Sequence, residues 1–172
     1  MQIDLERAGV VVGSGIGGVK EFSAGVESLV TKGPSKISPF SVPLTIPSMA
    51  SALVSLDAGI GFLGPNYSVS TACATSNHCL HSAADQICLG RADVMLAGGA
   101  EAAIAPVALG GFAALGALSR RNADPGTASR PWDGDRDGFV IGEGAGVLVL
   151  VPTLVLFTVR MHLCVSWAPD AN

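Results

Sequence analysis

Residues 67–89 read YSVSTACATSNHCLHSAADQICL and place a cysteine between two predicted elements. Residues 67–71 carry the β-branched and aromatic side chains typical of a buried strand. Residues 73–89 have the pattern of a helix that Gly90 terminates. Cys73 therefore falls where a strand passes into a helix.

A cysteine at such a junction has the physical requirements of a nucleophile. The first N–H groups of a helix lack intrahelical partners and lie at the positive end of the helix dipole, so they favour a thiolate. The same groups can stabilise a developing oxyanion. Cys73 could instead be a small buried hydrophobic residue, as most free cysteines are. Spacing alone leaves both interpretations open.

The sequence before this segment predicts a strand, a glycine-rich turn and two helices. Residues 8–12 form a short β-branched run that stops at GSGIGG, residues 13–18, after which apolar residues recur at helical spacing. Residues 33–47 are rich in Pro and Ser and predict a loop. Residues 49–58 predict a second helix, which Gly59 closes.

The sequence after it continues the alternation of strands and helices. Residues 92–97 predict a buried strand, and residues 106–117 predict a helix of small side chains. Residues 119–137 are a polar loop, and residues 139–141 and 146–151 predict strands on either side of a glycine-rich turn. This order indicates a layered α/β fold.

Composition limits the classes of protein to which the chain can belong. Its 172 residues, 49% of them hydrophobic, suffice for one domain with a sizeable core. A net charge of -4 without a Lys/Arg-rich run argues against a nucleic-acid partner. The four cysteines lack disulfide-framework spacing, which favours a reducing compartment. The longest apolar run, residues 147–159, is shorter than the ~20 residues that span a bilayer, so no membrane span is predicted.

Several further segments accompany the cysteine segment in a fixed order. They read VSTACATSN at 69–77, ADVMLAGGAE at 92–101, GGF at 110–112, ALS at 117–119, ASRPWD at 128–133 and DRDGFVIGEGAG at 135–146. In this order they resemble the 3-oxoacyl-acyl-carrier-protein synthases, and the wording is most similar to the plant plastid type I enzymes. The resemblance covers about residues 8–150.

The resemblance implies a thiolase-like, layered αβαβα fold, of which this chain would be an incomplete N-terminal half, and a homodimer in the intact enzyme. Cys73 would accept an acyl group from an acyl-carrier-protein thioester. Malonyl-carrier protein would then lose carbon dioxide, and its carbanion would attack the acyl-enzyme to give a longer 3-oxoacyl chain. The resemblance implies no cofactor and no metal. It places the protein in the plastid stroma, although the chain shows no transit peptide.

The resemblance also assigns roles around the nucleophile. Ile16 matches a residue that lines the acyl pocket, and Phe112 and Phe139 match aromatic residues beside the nucleophile. Ordinary core packing is the alternative for all three, and the two roles are compatible. In the family, the strand before Cys73 pairs with the partner subunit.

The resemblance is partial. The family takes two catalytic histidines from a second half whose segments are not found here, and His78, His81 and His162 do not lie in matching contexts. Residues 151–172 form a tail unlike the family. We therefore expect a fragment that is inactive alone, because members of a catalytic set act as a unit. The alternative is a non-catalytic subunit that pairs with an intact synthase.

A dinucleotide-binding site is an alternative interpretation of the glycine-rich turn. Residues 13–18 fit the Gly-x-Gly-x-x-Gly pattern between a strand and a helix. However, the acidic residue expected about 20 positions further on is missing, since residues 33–47 contain neither Asp nor Glu. A nicotinamide cofactor is therefore disfavoured.

Two segments have partial patterns of metal sites. Asp133, Asp135 and Asp137 resemble the start of a calcium loop, but the twelfth position is Gly144 instead of Glu. We expect these carboxylates to cap backbone N–H groups and to pair with Arg130 or Arg136. For zinc, the candidates are His78, Cys79, His81 and Cys88. His81 and Cys88 lie two helical turns apart, about 10 Å, which is too far to share an ion.

Overall fold

The computed structural model describes residues 3–61 and 63–152. Its strands are β1 (Ala8–Gly13), β2 (Asn66–Tyr67), β3 (Val94–Glu101) and β4 (Gly144–Leu150). Its helices are α1 (Val19–Lys32), α2 (Met49–Asp57), α3 (Thr75–Cys88) and α4 (Pro106–Ala114). Helices therefore alternate with strands as the sequence predicts.

The strands form one mixed sheet in the order β2-β1-β3-β4. β1 runs parallel to β2 and β3, whereas β4 runs antiparallel to β3, with Glu101 opposite Gly144. Every residue of β1 is buried, as expected for a central strand covered on both faces. The carboxyl ends of β1 and β3 and the start of β4 consequently meet at one edge of the sheet.

Helix α3 packs on the sheet through residues one turn apart. Thr75, Cys79 and Ala83 are its buried residues, at the i, i+4, i+8 spacing of one helical face. They join a core of small and medium side chains, which comprises Val11, Cys79, Ala83, Ala92, Met95 and Ala97. Small side chains let the helix backbone approach the sheet closely.

Helix α2 is attached to the sheet by a buried hydroxyl. The Ser51 Oγ accepts a hydrogen bond from the Val12 N–H at 2.8 Å and lies 2.6 Å from the Tyr67 carbonyl, to which it can donate. Ser51 is fully buried, so these bonds offset the cost of removing its hydroxyl from water. The residue fixes α2 against both β1 and β2.

The apolar face of α1 remains open to solvent. The apolar spacing predicted this helix correctly, yet none of its residues is buried. Phe22, Val26 and Leu29 line an open groove of about 460 Å³ together with Ile37 and Val42. The apolar side of α1 thus packs only partly, against the 37–47 segment that forms the other wall of the groove.

Several predicted boundaries are wrong for identifiable reasons. The predicted strand 67–71 is only Asn66–Tyr67, because the chain then leaves the sheet to form the turn that carries Cys73. The predicted strand 139–141 is a single bridge between Phe139 and Leu118. β3 continues to Glu101, beyond the predicted end at residue 97, because Gly98 allows β4 to approach: a Cβ there would overlap the Gly146 carbonyl.

None of the helices described between residues 3 and 152 has the length and hydrophobicity needed to cross a bilayer. The first part of the apolar run 147–159 lies in β4, which ends at Leu150. Its residues from 153 onward lie outside the described part of the chain.

Replacement of Gly13 by alanine should destabilise the fold. A Cβ at this position would overlap the Val69 carbonyl and the Thr75 Cγ2 and would lie 2.9 Å from the Cys79 Sγ. Overpacking of this kind costs about 1–3 kcal/mol, so urea unfolding should shift to lower denaturant. Gly110→Ala is the matched control, because no atom lies within 4 Å of its Cβ position. Equal unfolding midpoints for the two variants would contradict the close approach at Gly13.

Candidate active site

Cys73 lies in a short 3-10 turn, Ala72–Ala74, and not in the first turn of the α-helix as predicted. α3 begins two residues later, at Thr75. The Cys73 side chain is exposed, which excludes the interpretation as a buried hydrophobic residue. The structure therefore presents this thiol to solvent at the junction between the sheet and α3.

The turn holds a strained backbone. Ala72 has φ 53°, a left-handed conformation that costs about 1–2 kcal/mol for a residue other than glycine. The Thr71 N–H donates to the Thr75 Oγ1 at 2.9 Å, and this hydroxyl donates to the Ala72 carbonyl at 2.7 Å. The Ala74 N–H bonds to the Thr71 carbonyl at 3.2 Å. Together these bonds surround the residue that precedes Cys73.

Cys73 opens into a cavity of about 510 Å³ at the sheet edge. The lining comes from the ends of β1 and β3, the start of β4 and the turn before α3. Its residues are Gly13, Ser14, Gly15, Ala72, Cys73, Thr75, Ser76, Gly99, Ala100, Glu101, Gly144, Ala145 and Gly146. Ligands bind beyond the carboxyl ends of parallel strands in many α/β proteins, and this cavity occupies such a position.

Glu101 organises the glycine-rich turn on the opposite wall. Its carboxylate accepts hydrogen bonds from the Ser14 hydroxyl at 2.8 Å, the Gly15 N–H at 2.8 Å and the Ile16 N–H at 3.3 Å. A dinucleotide site would offer such N–H groups to a pyrophosphate. Here a carboxylate already occupies them and would repel a second anion, so the geometry argues further against a nicotinamide cofactor.

The other predicted site residues are not among those that line this cavity. Ile16 is 40% exposed and follows Gly15, which lines the cavity, but Ile16 itself is not part of the lining. Phe112 is half-buried in α4. Phe139 is 66% exposed and lines a different cavity with Leu109 and Leu118. The structure thus brings Cys73 to the glycine-rich turn but not to either phenylalanine, whose roles stay predictions.

Sequence reasoning missed two residues of the site. Glu101 ends β3 at the same sheet edge as the glycine-rich turn, and the parallel strand order could have revealed their proximity. Thr75 lies two residues after Cys73, at the position where a hydroxyl can bond back to the preceding turn. Neither residue carries a signal in hydrophobic periodicity, because both act through hydrogen bonds.

His78 and His81 each lie close to a polar side chain outside the Cys73 cavity. The His78 Nδ1 lies 2.6 Å from the Thr71 Oγ1, and His81 lies 3.3 Å from Asp85 on the next turn of α3. His162 lies outside the described residues. Across residues 3–61 and 63–152, no three His, Cys, Asp or Glu side chains are grouped to hold a metal ion.

The calcium-like segment is a hydrogen-bonded turn, as the alternative interpretation predicted. Asp133 accepts from the Asp135 N–H at 2.8 Å and pairs with Arg130 at 3.0 Å. The Asp135 N–H is the main cause that holds the pKa of the Asp133 carboxyl below its usual value. The Ser119 hydroxyl, followed by the Arg120 N–H, likewise lowers the pKa of Asp137. These carboxylates are therefore occupied by the protein's own donors.

The remaining cysteines differ in environment. Cys79 is fully buried, and burial raises the pKa of its thiol. Cys88 is exposed at the end of α3. Cys164 lies outside the described residues. The described part of the chain thus combines two accessible thiols with one that is buried and has a raised pKa.

Comparison with known proteins finds a family match that includes the segment around Cys73. The family model described as "Beta-ketoacyl synthase, N-terminal domain" matches residues 1–154. The chain is 60% identical over 150 residues to the chloroplastic 3-oxoacyl-acyl-carrier-protein synthase I of Hordeum vulgare and 61% identical over 148 residues to that of Arabidopsis thaliana. These matches cover 87% and 86% of this chain but only 32% and 31% of the relatives. The chain therefore spans about a third of the length of these curated relatives.

Solved structures show the same fold. A ketosynthase in complex with its type II PKS acyl-carrier protein matches with a TM-score of 0.73 and 37% identity, over 87% of this chain and 38% of that chain. A beta-ketoacyl synthase from Burkholderia phymatum matches with a TM-score of 0.70 and 34% identity, over 84% and 35%. The mixed sheet and its helices are thus those of thiolase-like ketosynthases, as the sequence predicted.

The three described cysteines should react with iodoacetamide at different rates. At pH 8 we expect Cys73 and Cys88 to be alkylated in the folded chain and Cys79 to be protected, because Cys79 is buried and its pKa is raised. Fragment-ion mass spectrometry of the peptide that contains all three locates the label. Denaturation in urea should make Cys79 as reactive as Cys88. Labelling of Cys79 at the rate of Cys73 in the folded chain would show that this packing is wrong.

Proposed function

Because the chain belongs to the beta-ketoacyl synthase family, we propose that it performs the acyl-accepting chemistry of a 3-oxoacyl-acyl-carrier-protein synthase of fatty-acid biosynthesis. One observation carries the proposal: the exposed Cys73 lies in the 3-10 turn that precedes α3 and opens into the cavity at the carboxyl ends of β1 and β3. This is where a strand-to-helix turn can present a nucleophile to a bound thioester.

The acyl-transfer step needs a thiolate and a donor for the oxyanion. The Cys73 sulfur attacks the thioester carbonyl carbon and forms a new C–S bond, and the C–S bond to the carrier thiol breaks. The carrier leaves as a thiolate, which takes up a proton. The Ala74 and Thr75 N–H groups are already bonded to the carbonyls of Thr71 and Ala72. We therefore assign the oxyanion hydrogen bond on this chain to the Cys73 N–H.

Condensation requires further groups. In the proposed second step a malonyl thioester loses carbon dioxide, its carbanion attacks the acyl carbon on Cys73, and the Cys73 thiolate leaves. His78 bonds to Thr71 and His81 pairs with Asp85, and neither lines the Cys73 cavity. The described residues thus place no imidazole beside the thiol to stabilise an enolate. We propose that these residues accept an acyl group but do not condense it.

The relatives support a partner and a location for the proposed function. One matched structure is an acyl-carrier protein in complex with its ketosynthase, which supports an acyl carrier protein, acyl- or malonyl-loaded, as the partner here. The relatives from Hordeum vulgare and Arabidopsis thaliana are chloroplastic, which supports the plastid stroma. Bacterial relatives, such as the Vibrio cholerae synthase 2 at 52% identity, share the same segment.

The finer assignments are part of the same proposal. Residues 8–150 form the ketosynthase-like unit and residues 151–172 a divergent tail; the match to the family model ends at residue 154, which supports this boundary. Ile16, Phe112 and Phe139 are proposed to border the acyl chain. For Ile16, its position next to Gly15 in the cavity wall supports the role.

A second candidate function is that of a pairing subunit. β2 is an edge strand of the sheet, and an edge strand offers unpaired backbone groups to another chain. The solved relatives include a ketosynthase in complex with its chain length factor, at a TM-score of 0.70 and 26% identity. We propose that residues 66–71 pair with a second copy or with an intact synthase.

Acylation of Cys73 tests the main proposal. The chain is incubated with a hexanoyl-loaded acyl carrier protein, and intact-mass spectrometry measures the covalent adduct. We expect one hexanoyl group per chain, lost to background in Cys73→Ala. Cys88→Ser is the matched control, because among the described residues it removes the second exposed thiol, and it should keep the adduct. Undiminished acylation of Cys73→Ala would overturn the proposal.

Addition of malonyl-loaded carrier protein separates acceptance from condensation. We expect the acyl adduct to persist, with no 3-oxoacyl product and no release of carbon dioxide. Formation of the 3-oxoacyl product by this chain alone would show that the described residues are not limited to acyl acceptance.

A charge at the free sheet edge tests pairing. Ser70 is exposed and lies in the segment after β2. Ser70→Lys should place like charges together when two copies pair there, and should weaken association by about tenfold or more in sedimentation experiments. Ser35→Lys, at an exposed position between α1 and α2, is the control for net charge. If both variants associate like the parent chain, residues 66–71 are not the interface.

A further inference from the structure

We propose that Thr75 is a positioning residue for the nucleophile, one that sets the backbone geometry of Cys73 through two hydrogen bonds. The inference rests on the proposed acyl-accepting role of Cys73. It assigns to Thr75 a function in the reaction that acts through the backbone of the turn before α3.

The hydroxyl of Thr75 bridges the peptide group that precedes Thr71 and the peptide group that follows Ala72. Oγ1 accepts from the Thr71 N–H at 2.9 Å and donates to the Ala72 carbonyl at 2.7 Å. The Thr75 N–H donates to the same carbonyl, which closes the 3-10 turn. One side chain thus engages backbone groups on both sides of the left-handed residue.

The left-handed φ of Ala72 explains why such bonds are needed. An alanine at φ 53° relaxes to the right-handed or extended region unless surrounding contacts oppose it. A change at Ala72 would rotate the following peptide plane, which contains the Cys73 N–H. The thiol and its oxyanion donor would then lose their common orientation toward one thioester carbonyl.

Packing holds the hydroxyl in place. Thr75 is only 5% exposed, and its Cγ2 faces the backbone of Gly13 at the end of β1. This methyl contact favours the χ1 rotamer that the two hydrogen bonds of Oγ1 also select. The contact between α3 and β1 and the two hydrogen bonds therefore act in the same direction on the turn that carries Cys73.

Two variants separate the hydroxyl from the shape of the side chain. Thr75→Val keeps the volume and the β-branch but removes the hydroxyl, whereas Thr75→Ser keeps the hydroxyl and removes the methyl. We expect Thr75→Val to slow acyl transfer from hexanoyl-loaded carrier protein to Cys73 by about ten- to a hundredfold. Thr75→Ser should stay within about threefold of the parent chain, since its hydroxyl can form both bonds.

Iodoacetamide alkylation provides a readout that distinguishes positioning from loss of structure. The ratio of Cys73 to Cys88 labelling should stay within about twofold in Thr75→Val, because alkylation needs an accessible thiol but no oxyanion donor. A general loosening of the fold would instead expose Cys79 to labelling. The inference would be overturned if Thr75→Val accepts acyl groups as fast as the parent chain. It would also be overturned if acyl transfer to Thr75→Ser is slowed as much as acyl transfer to Thr75→Val.

Amide hydrogen exchange tests the hydrogen bonds without reference to acylation. The Thr71 N–H should exchange at least about tenfold faster in Thr75→Val than in the parent and Thr75→Ser chains, because it loses its acceptor. Unchanged exchange shows that the bridge does not hold the turn, whatever the acylation result. A parent chain that is never acylated instead refutes the proposed function, and the catalytic role of Thr75 with it.

Discussion

The close approach of α3 to the end of β1 is the constraint on which the rest of the site depends. Gly13 provides it, because a side chain there would collide with Val69, Thr75 and Cys79. With that contact formed, the chain must leave the sheet after Tyr67 and turn sharply before the helix begins. The turn is the one that carries Cys73, so a packing requirement in the core determines where the thiol can lie.

A glycine also allows close approach between β3 and β4. Gly98 lies against Gly146 of β4, and no Cβ would fit there. Small residues at the ends of three strands leave the sheet edge open, and the cavity in front of Cys73 is the space they do not fill. Glu101 then stabilises the glycine-rich turn in the cavity wall, because its carboxylate accepts hydrogen bonds from the Gly15 and Ile16 N–H groups. Glycine thus creates the space, and a single carboxylate gives it a defined shape.

How much of this the sequence could predict depends on the kind of interaction. Strands and helices with a regular or continuous apolar pattern, such as β1, α1 and α3, can be predicted from that pattern, and the position of Cys73 between sheet and helix follows from them. The left-handed Ala72, the 3-10 turn and the shortness of β2 do not follow, because hydrogen bonds of Thr75 and the contact at Gly13 determine them. The proximity of Glu101 to Gly15 is a property of strand order, which local patterns do not contain. Ile16, Phe112 and Phe139 came from resemblance alone, and the described packing places only Ile16 next to the cavity wall.

The geometry also explains why acyl acceptance and condensation can be treated as separable. The groups that orient Cys73 come from residues 69–79 and from Gly13, so they form a set that is almost entirely local in sequence and is fixed by one helix–strand contact. Stabilisation of an enolate needs imidazoles aimed into the same cavity, and His78 and His81 are held by Thr71 and Asp85 on the outer side of α3. Residues that are close in sequence can orient Cys73 wherever their own contacts form. Catalytic groups that come from distant segments act together only when all of those segments pack against one another. The proposed nucleophile therefore requires only the packing of the residues described here, and the proposed second step requires imidazoles that residues 3–61 and 63–152 do not place in the cavity.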